Sequence, residues 1–153
     1  MTQNSKVGMV HPALAHAAEQ RAYDRFIDGL SCTESIVETS CGVLGIEAGP
    51  HVRMATGFRA GMAKSGCVCG ALVGAVMAGG LVHGREDEAG SEADTLALSR
   101  RLHERFVGRF GTTCCRMLNG DDFDSPEHDV RCAGITGKTM RMLAEELEWI
   151  QDR

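Results

Sequence analysis

GCVCGALVGAVMAGG, residues 66–80, runs two cysteines, one residue apart, into a glycine- and alanine-rich apolar segment. The apolar run extends over 68–82, short of the roughly 18 to 20 residues that span a bilayer, and it carries four glycines. A buried helix therefore explains it better than a membrane span. Gly70, Gly74 and Ala78 recur every four residues and share one helix face, where small side chains let a neighbouring backbone come close. Glycine costs about 1 kcal/mol in a helix interior, so this face implies close packing, with a neighbouring helix and its cysteine held against Cys69.

Working outward, helical spacing recurs and strand signals are nearly absent. Leu14, Ala18, Ala22, Phe26 and Leu30 step by four, and Ile36, Val37, Ser40, Cys41 and Leu44 mark a second face. Leu98, Leu102, Phe106 and Phe110 form another stripe, closed by Gly111 as a C-terminal cap. Met140, Leu143, Leu147 and Ile150 mark a last helix. Ser31 with Glu34 makes a capping box, Ser91 opens a helix, Thr112 or Thr113 caps a short one, and Ser125 precedes Pro126 at a first helical position. The expectation is an all-α, compact bundle of about five helices around a Gly/Ala-rich central helix. It forms one domain over 1–153, with 1–10 flexible.

Composition narrows the function. The 153 residues carry a net charge of -5 with interspersed signs, and only 5% are aromatic. No basic patch alternates with aromatics, so nucleic acid is not an expected partner. The first residues lack a basic start followed by an apolar core, so a cytoplasmic protein without a signal peptide is expected. Seven cysteines (32, 41, 67, 69, 114, 115 and 132) are an odd number and a high one for this length. A disulfide framework is not expected in a reducing compartment, which leaves metal binding or redox chemistry. Cys32 follows its cap, Cys69 opens the central helix and Cys115 lies just after a threonine cap, whereas Cys132 falls about two turns beyond Pro126. Helix starts present free N–H groups that favour thiolate over thiol. Cys41 lies on an apolar stripe and reads as core.

Other chemistries fail on spacing. The six histidines contain no H-x-x-x-H pair and read as surface residues. The glycines of 57–66 form neither a dinucleotide nor a Walker motif. Asp121, Asp122 and Asp124 lack the rest of a calcium loop. No C-x-x-C-H sequence exists, so covalent haem is not expected.

Four of the cysteines and their flanks carry a resemblance. CGALVG, 69–74, fits a CGAxxG motif. Phe58, Gly61, Met62, Ser65, Gly66 and Cys69 meet an F-x-x-G-M-x-x-S-G-x-x-C approach. FGTTCCRML, 110–118, fits F-G-x-x-x-C-R-x-L and aligns Cys115. Cys32 begins an early helix and Cys132 is the last cysteine. From Cys32 onward the chain resembles the C_GCAxxG_C_C family of small redox-active proteins with four characteristic cysteines. The resemblance implies a redox role for Cys32, Cys69, Cys115 and Cys132, and it leaves the substrate open. Arg59, Ala60 and Ala63 stand where the family often has glycine. Cys41, Cys67 and Cys114 are additional to the four.

Three readings follow. In the first, Cys32, Cys69, Cys115 and Cys132 ligate an iron–sulfur or other thiolate-bound metal centre for electron transfer, with Gly66, Gly70 and Gly74 giving close backbone approach around it. In the second, a metal-free thiol–disulfide protein uses Cys69 as the attacking thiol, with Cys32, Cys67 or Cys115 resolving. In the third, the cysteines are core residues of a helical structural or partner-binding module. A redox partner protein is implied by the first two, and the small-residue face is also compatible with a homodimer contact.

Overall fold

The computed structural model describes residues 12–147. Within them the chain forms seven α-helices: α1 (Pro12–Ile27), α2 (Cys32–Leu44), α3 (Gly49–Ala55), α4 (Gly70–His83), α5 (Ala93–Phe110), α6 (Cys115–Asn119) and α7 (Pro126–Leu147). A single 3-10 turn, Thr56–Phe58, follows α3. The all-α class holds. The count of about five fits the long helices, and the short α3 and α6 complete the seven. Residues 1–10, His11 and Ile150 lie outside the described residues.

The caps form as their sequences dictate. Ser31 accepts from the Glu34 amide while Glu34 accepts from the Ser31 amide, closing both arms of the capping box at the start of α2. Gly111 ends α5 in the left-handed region, at φ 84°. Ser125 Oγ accepts from the His128 amide at 3.1 Å, one turn into α7. Ser91 Oγ takes the Ala93 amide at 3.2 Å, so α5 opens two residues later than its sequence signal.

Helix α4 is the centre. It packs against α2, α5 and α7, and it buries residues around most of its circumference, which its near-uniform apolarity allows. Leu98, Leu102 and Phe106 from α5 and Met140, Leu143 and Leu147 from α7 fill the main core with Ala71, Leu72, Ala75 and Ala78. The stripe of α1 is shifted by one position at its start: Ala15, Ala18 and Ala22 are buried, whereas Leu14 is exposed. Leu30 lies beyond the helix end. Cys41 is fully buried with Val37 and Ala55 in a separate small cluster, as its apolar stripe predicts.

The glycine face of α4 meets α2 of the same chain. A Cβ built on Gly74 would lie 2.9 Å from the Thr33 carbonyl oxygen and 3.1 Å from its Cα. One built on Gly70 would collide with Cys32 Sγ and Thr33 Oγ1. Thr33 Oγ1 donates to the Gly70 carbonyl at 2.8 Å, pinning the two helices where they touch. This face is therefore occupied within the chain, which removes the basis for expecting a homodimer through it.

The loop before α4 takes an uncommon path. Ala60, Gly61, Met62, Ala63 and Lys64 all have positive φ, between 49° and 73°. Such a left-handed turn costs roughly 1–2 kcal/mol per non-glycine residue. It is held by Met62 N–H to Phe58 O (3.2 Å), Lys64 N–H to Arg59 O (3.1 Å) and Cys67 N–H to Gly61 O (3.0 Å). Ala60 and Ala63 thus sit where glycine is the unstrained choice.

Candidate functional site

One cavity of about 250 Å³ opens between the left-handed turn and the ends of several helices. Cys32, Cys69, Cys115 and Cys132 all line it. Each comes from a different helix. Cys32 is the first residue of α2, Cys69 is the N-cap of α4, Cys115 is the first residue of α6, and Cys132 stands two turns into α7. Phe26, Ile27, Phe123 and Ile135 make the apolar wall, and Arg59 and Lys64 bring positive charge to it.

Local backbone geometry brings Cys69 and Cys115 together. Val68 and Cys114 form an isolated antiparallel bridge. The Cys69 amide donates to Thr113 O at 2.7 Å and the Cys115 amide to Cys67 O at 2.6 Å. Gly66, at φ +68°, turns the chain into this bridge, and its carbonyl accepts from the Arg116 amide at 3.2 Å. A Cβ there would also press on Arg116 Cβ at 2.9 Å. Gly70 and Gly74 then set α4 close enough to α2 for Cys32 to reach the same space.

Asn119 and His128 complete the site, and the sequence reading passed over both. Asn119 is buried at the end of α6. Its Nδ2 donates to Cys115 O at 3.0 Å and faces Cys115 Sγ at 3.6 Å. Its Oδ1 accepts from Cys132 Sγ at 3.3 Å, from Arg131 Nε at 3.1 Å and, with the proton on Nδ1, from His128 at 3.1 Å. One amide side chain thus ties the thiols of α6 and α7. His128 corrects the expectation of surface histidines: it is buried on the cavity wall, its Nδ1 3.6 Å from Cys132 Sγ. His16, His83 and His103 are exposed as expected. The available signal was spacing: Cys115 with Asn119, and His128 with Cys132, are i,i+4 pairs that share a helix face.

The electrostatics differ from the sequence expectation. The amides of Ala71 and Leu72 at the start of α4 do favour the Cys69 thiolate, and those of Thr33 and Ala60 favour the Cys32 thiolate. Burial outweighs them. It pushes the Cys32, Cys69 and Cys115 thiols up, and Cys132 up to about 12. Repulsion from neighbouring thiolates adds to the rise for Cys69, Cys115 and Cys132. Burial also holds the His128 imidazole below its ordinary value. Burial and mutual repulsion therefore both favour the protonated form of these thiols.

A pH dependence follows. A thiol whose pKa is raised by folding stabilises the native state fully below its unfolded value, near 9.0, and that contribution is lost as pH rises toward the folded value. Reduced, metal-free protein should therefore lose stability above about pH 9, by up to about 1.4 kcal/mol per pH unit for each buried thiol. Urea unfolding at stepped pH measures this, and stability unchanged between pH 8 and about 10.5 would contradict the burial account.

As a donor set, three buried thiols and the half-buried Cys132 suit a soft metal centre. Among the described residues, no three His, Cys, Asp or Glu side chains are arranged to hold a single ion. All seven cysteines are free thiols, and no described helix is long and apolar enough to cross a membrane.

No curated protein and no solved structure matches the chain. A family model described as "Putative redox-active protein (C_GCAxxG_C_C)" matches residues 30–146, a span that takes in all four cavity cysteines. The chain belongs to this redox-active family.

Proposed function

We propose that the protein carries electrons through one centre built on Cys32, Cys69, Cys115 and Cys132, an iron–sulfur or related metal centre held by their thiolates. The convergence of three buried thiols and one half-buried thiol, from four helices, on a single cavity carries this reading. Their raised pKa values support it. Thiols that resist ionising singly become good ligands together when a cation neutralises them. Bound there, such a centre would accept and release single electrons. The chain's own residues set its surroundings. Asn119 orients Cys115 and Cys132 and offers an N–H to sulfur, the left-handed turn closes the cavity over Cys32, and Phe26, Ile27, Phe123 and Ile135 limit water. The acceptor is a redox partner protein, and seven free thiols suit the cytoplasm.

A second reading is favoured by one observation, the lack of a ready single-ion site among the described residues. In it the protein works without metal. Two facing thiols become a disulfide, losing two protons and two electrons to an oxidant, and are reduced back in the next cycle.

Potentiometric titration of the full chain tests the redox role common to both. A reversible couple is expected in the native protein and lost in folded Cys115→Ser. A native protein that shows no couple overturns the proposal.

A further inference from the structure

The bridge that delivers Cys69 to the cavity also pairs two other thiols. With Val68 opposite Cys114, the antiparallel register sets Cys67 opposite Cys115. The bridge is a single pair; at the next position the Cys115 amide donates to Cys67 O while the Cys67 amide goes to Gly61 O, and opposed residues of a hydrogen-bonded antiparallel pair have Cα atoms about 5.5 Å apart, within the span of a disulfide. Gly61 lies against both residues: a Cβ placed on it would lie 2.5 Å from the Cys67 nitrogen and 2.8 Å from Cys115 Cβ. The two cysteines differ in access. Cys67 is exposed and Cys115 is buried on the cavity wall. Cys114 faces the other side of the bridge with Val68, and its Sγ lies 3.4 Å from the Gly66 carbonyl.

We propose that Cys67 and Cys115 form a thiol–disulfide exchange site for a low-molecular-weight disulfide, with Cys67 the surface thiol that receives the oxidising equivalents and Cys115 the thiol that carries them into the cavity. This rests on the reading of Cys115 as a member of the four-thiol centre. The Cys67 thiolate attacks one sulfur of the small disulfide. A mixed disulfide forms on Cys67 and one small thiolate leaves, taking up a proton. Cys115, whose Sγ faces the Asn119 amide, then attacks the Cys67 sulfur, and its proton passes to the second small thiolate as that leaves. Two protein thiols are oxidised to one disulfide, and one small disulfide is reduced to two thiols. The new bond draws Cys115 out of the four-thiol set, so the surface redox state governs the centre.

The test treats the full, anaerobically reduced protein with oxidised glutathione and maps the products by peptide mass spectrometry. The expected sequence is an adduct on Cys67 followed by a Cys67–Cys115 bridge. Cys67→Ser should consume the disulfide at least about tenfold more slowly, since access limits exchange. Cys115→Ser should hold the adduct on Cys67. If Cys115→Ser fails to fold, the native digest and Cys67→Ser decide alone. A persistent Cys67 adduct in the native protein, a Cys67–Cys114 bridge, or an unchanged rate in Cys67→Ser overturns the proposal. The bridge is read by mass and the centre by its potentiometric couple, so either can fail without the other.

Discussion

Cys69→Ser is expected to abolish the redox couple and to lower any bound metal at least about tenfold, whereas Cys41→Ser leaves both intact. The two residues are equally cryptic by exposure, since both are buried, and they differ in what surrounds them. Cys69 caps α4 at the cavity wall, feels the charges of Cys32 and Cys115, and faces the first amides of its helix. Cys41 packs on Val37 and Ala55 in its own apolar cluster. A serine at 41 can return its hydroxyl to the carbonyl one turn earlier, at a stability cost of about 1 kcal/mol. Thermal unfolding verifies that both variants fold. Equal loss of the couple in two folded variants would contradict the division of the cysteines into a site and a core.

Gly74→Ala should destabilise the protein although it improves helix propensity. Alanine gains about 1 kcal/mol over glycine in a helix interior. The added methyl would sit 2.9 Å from a backbone oxygen and 3.2 Å from Ile36 Cβ, neither the end of a flexible side chain. Overpacking of this kind costs about 1–3 kcal/mol, so the expected net loss is up to about 2 kcal/mol. Because α2 carries Cys32, the same shift should weaken the centre. Gly80→Ala is the control. Nothing lies within 4 Å of a Cβ at that glycine, so propensity alone should act and the variant should gain stability. Gain at both positions, measured by urea unfolding, would show that α2 and α4 are not in close contact.

How far the sequence carried the fold depended on the range of the interactions. The capping box at Ser31, the cap at Gly111 and the stripes of α5 and α7 are local, written within a few residues, and were legible. The shift of the α1 stripe was not, because which of Leu14 and Ala15 is buried is decided by tertiary packing on α1 and not by local sequence. The short α3 has a proline near its start but no long apolar period. The left-handed turn was hidden by alanines at 60 and 63, which carry no left-handed signal of their own. Cys32, Cys69 and Cys115 could be singled out by helix starts, and all four thiols by the family pattern. Their raised pKa values could not, since burial and mutual repulsion exist only once four helices converge. Asn119 and His128 depend on α6 and α7 coming together across the intervening loop.

The central claim, that the four converging thiolates hold an iron–sulfur or related metal centre, is tested most directly by the iron and sulfide content and visible spectrum of protein purified without oxygen from iron-replete cells. The account predicts coloured protein whose sulfur-to-iron charge-transfer absorption bleaches on reduction. Colourless, metal-free protein would contradict it and leave the thiol–disulfide reading in its place.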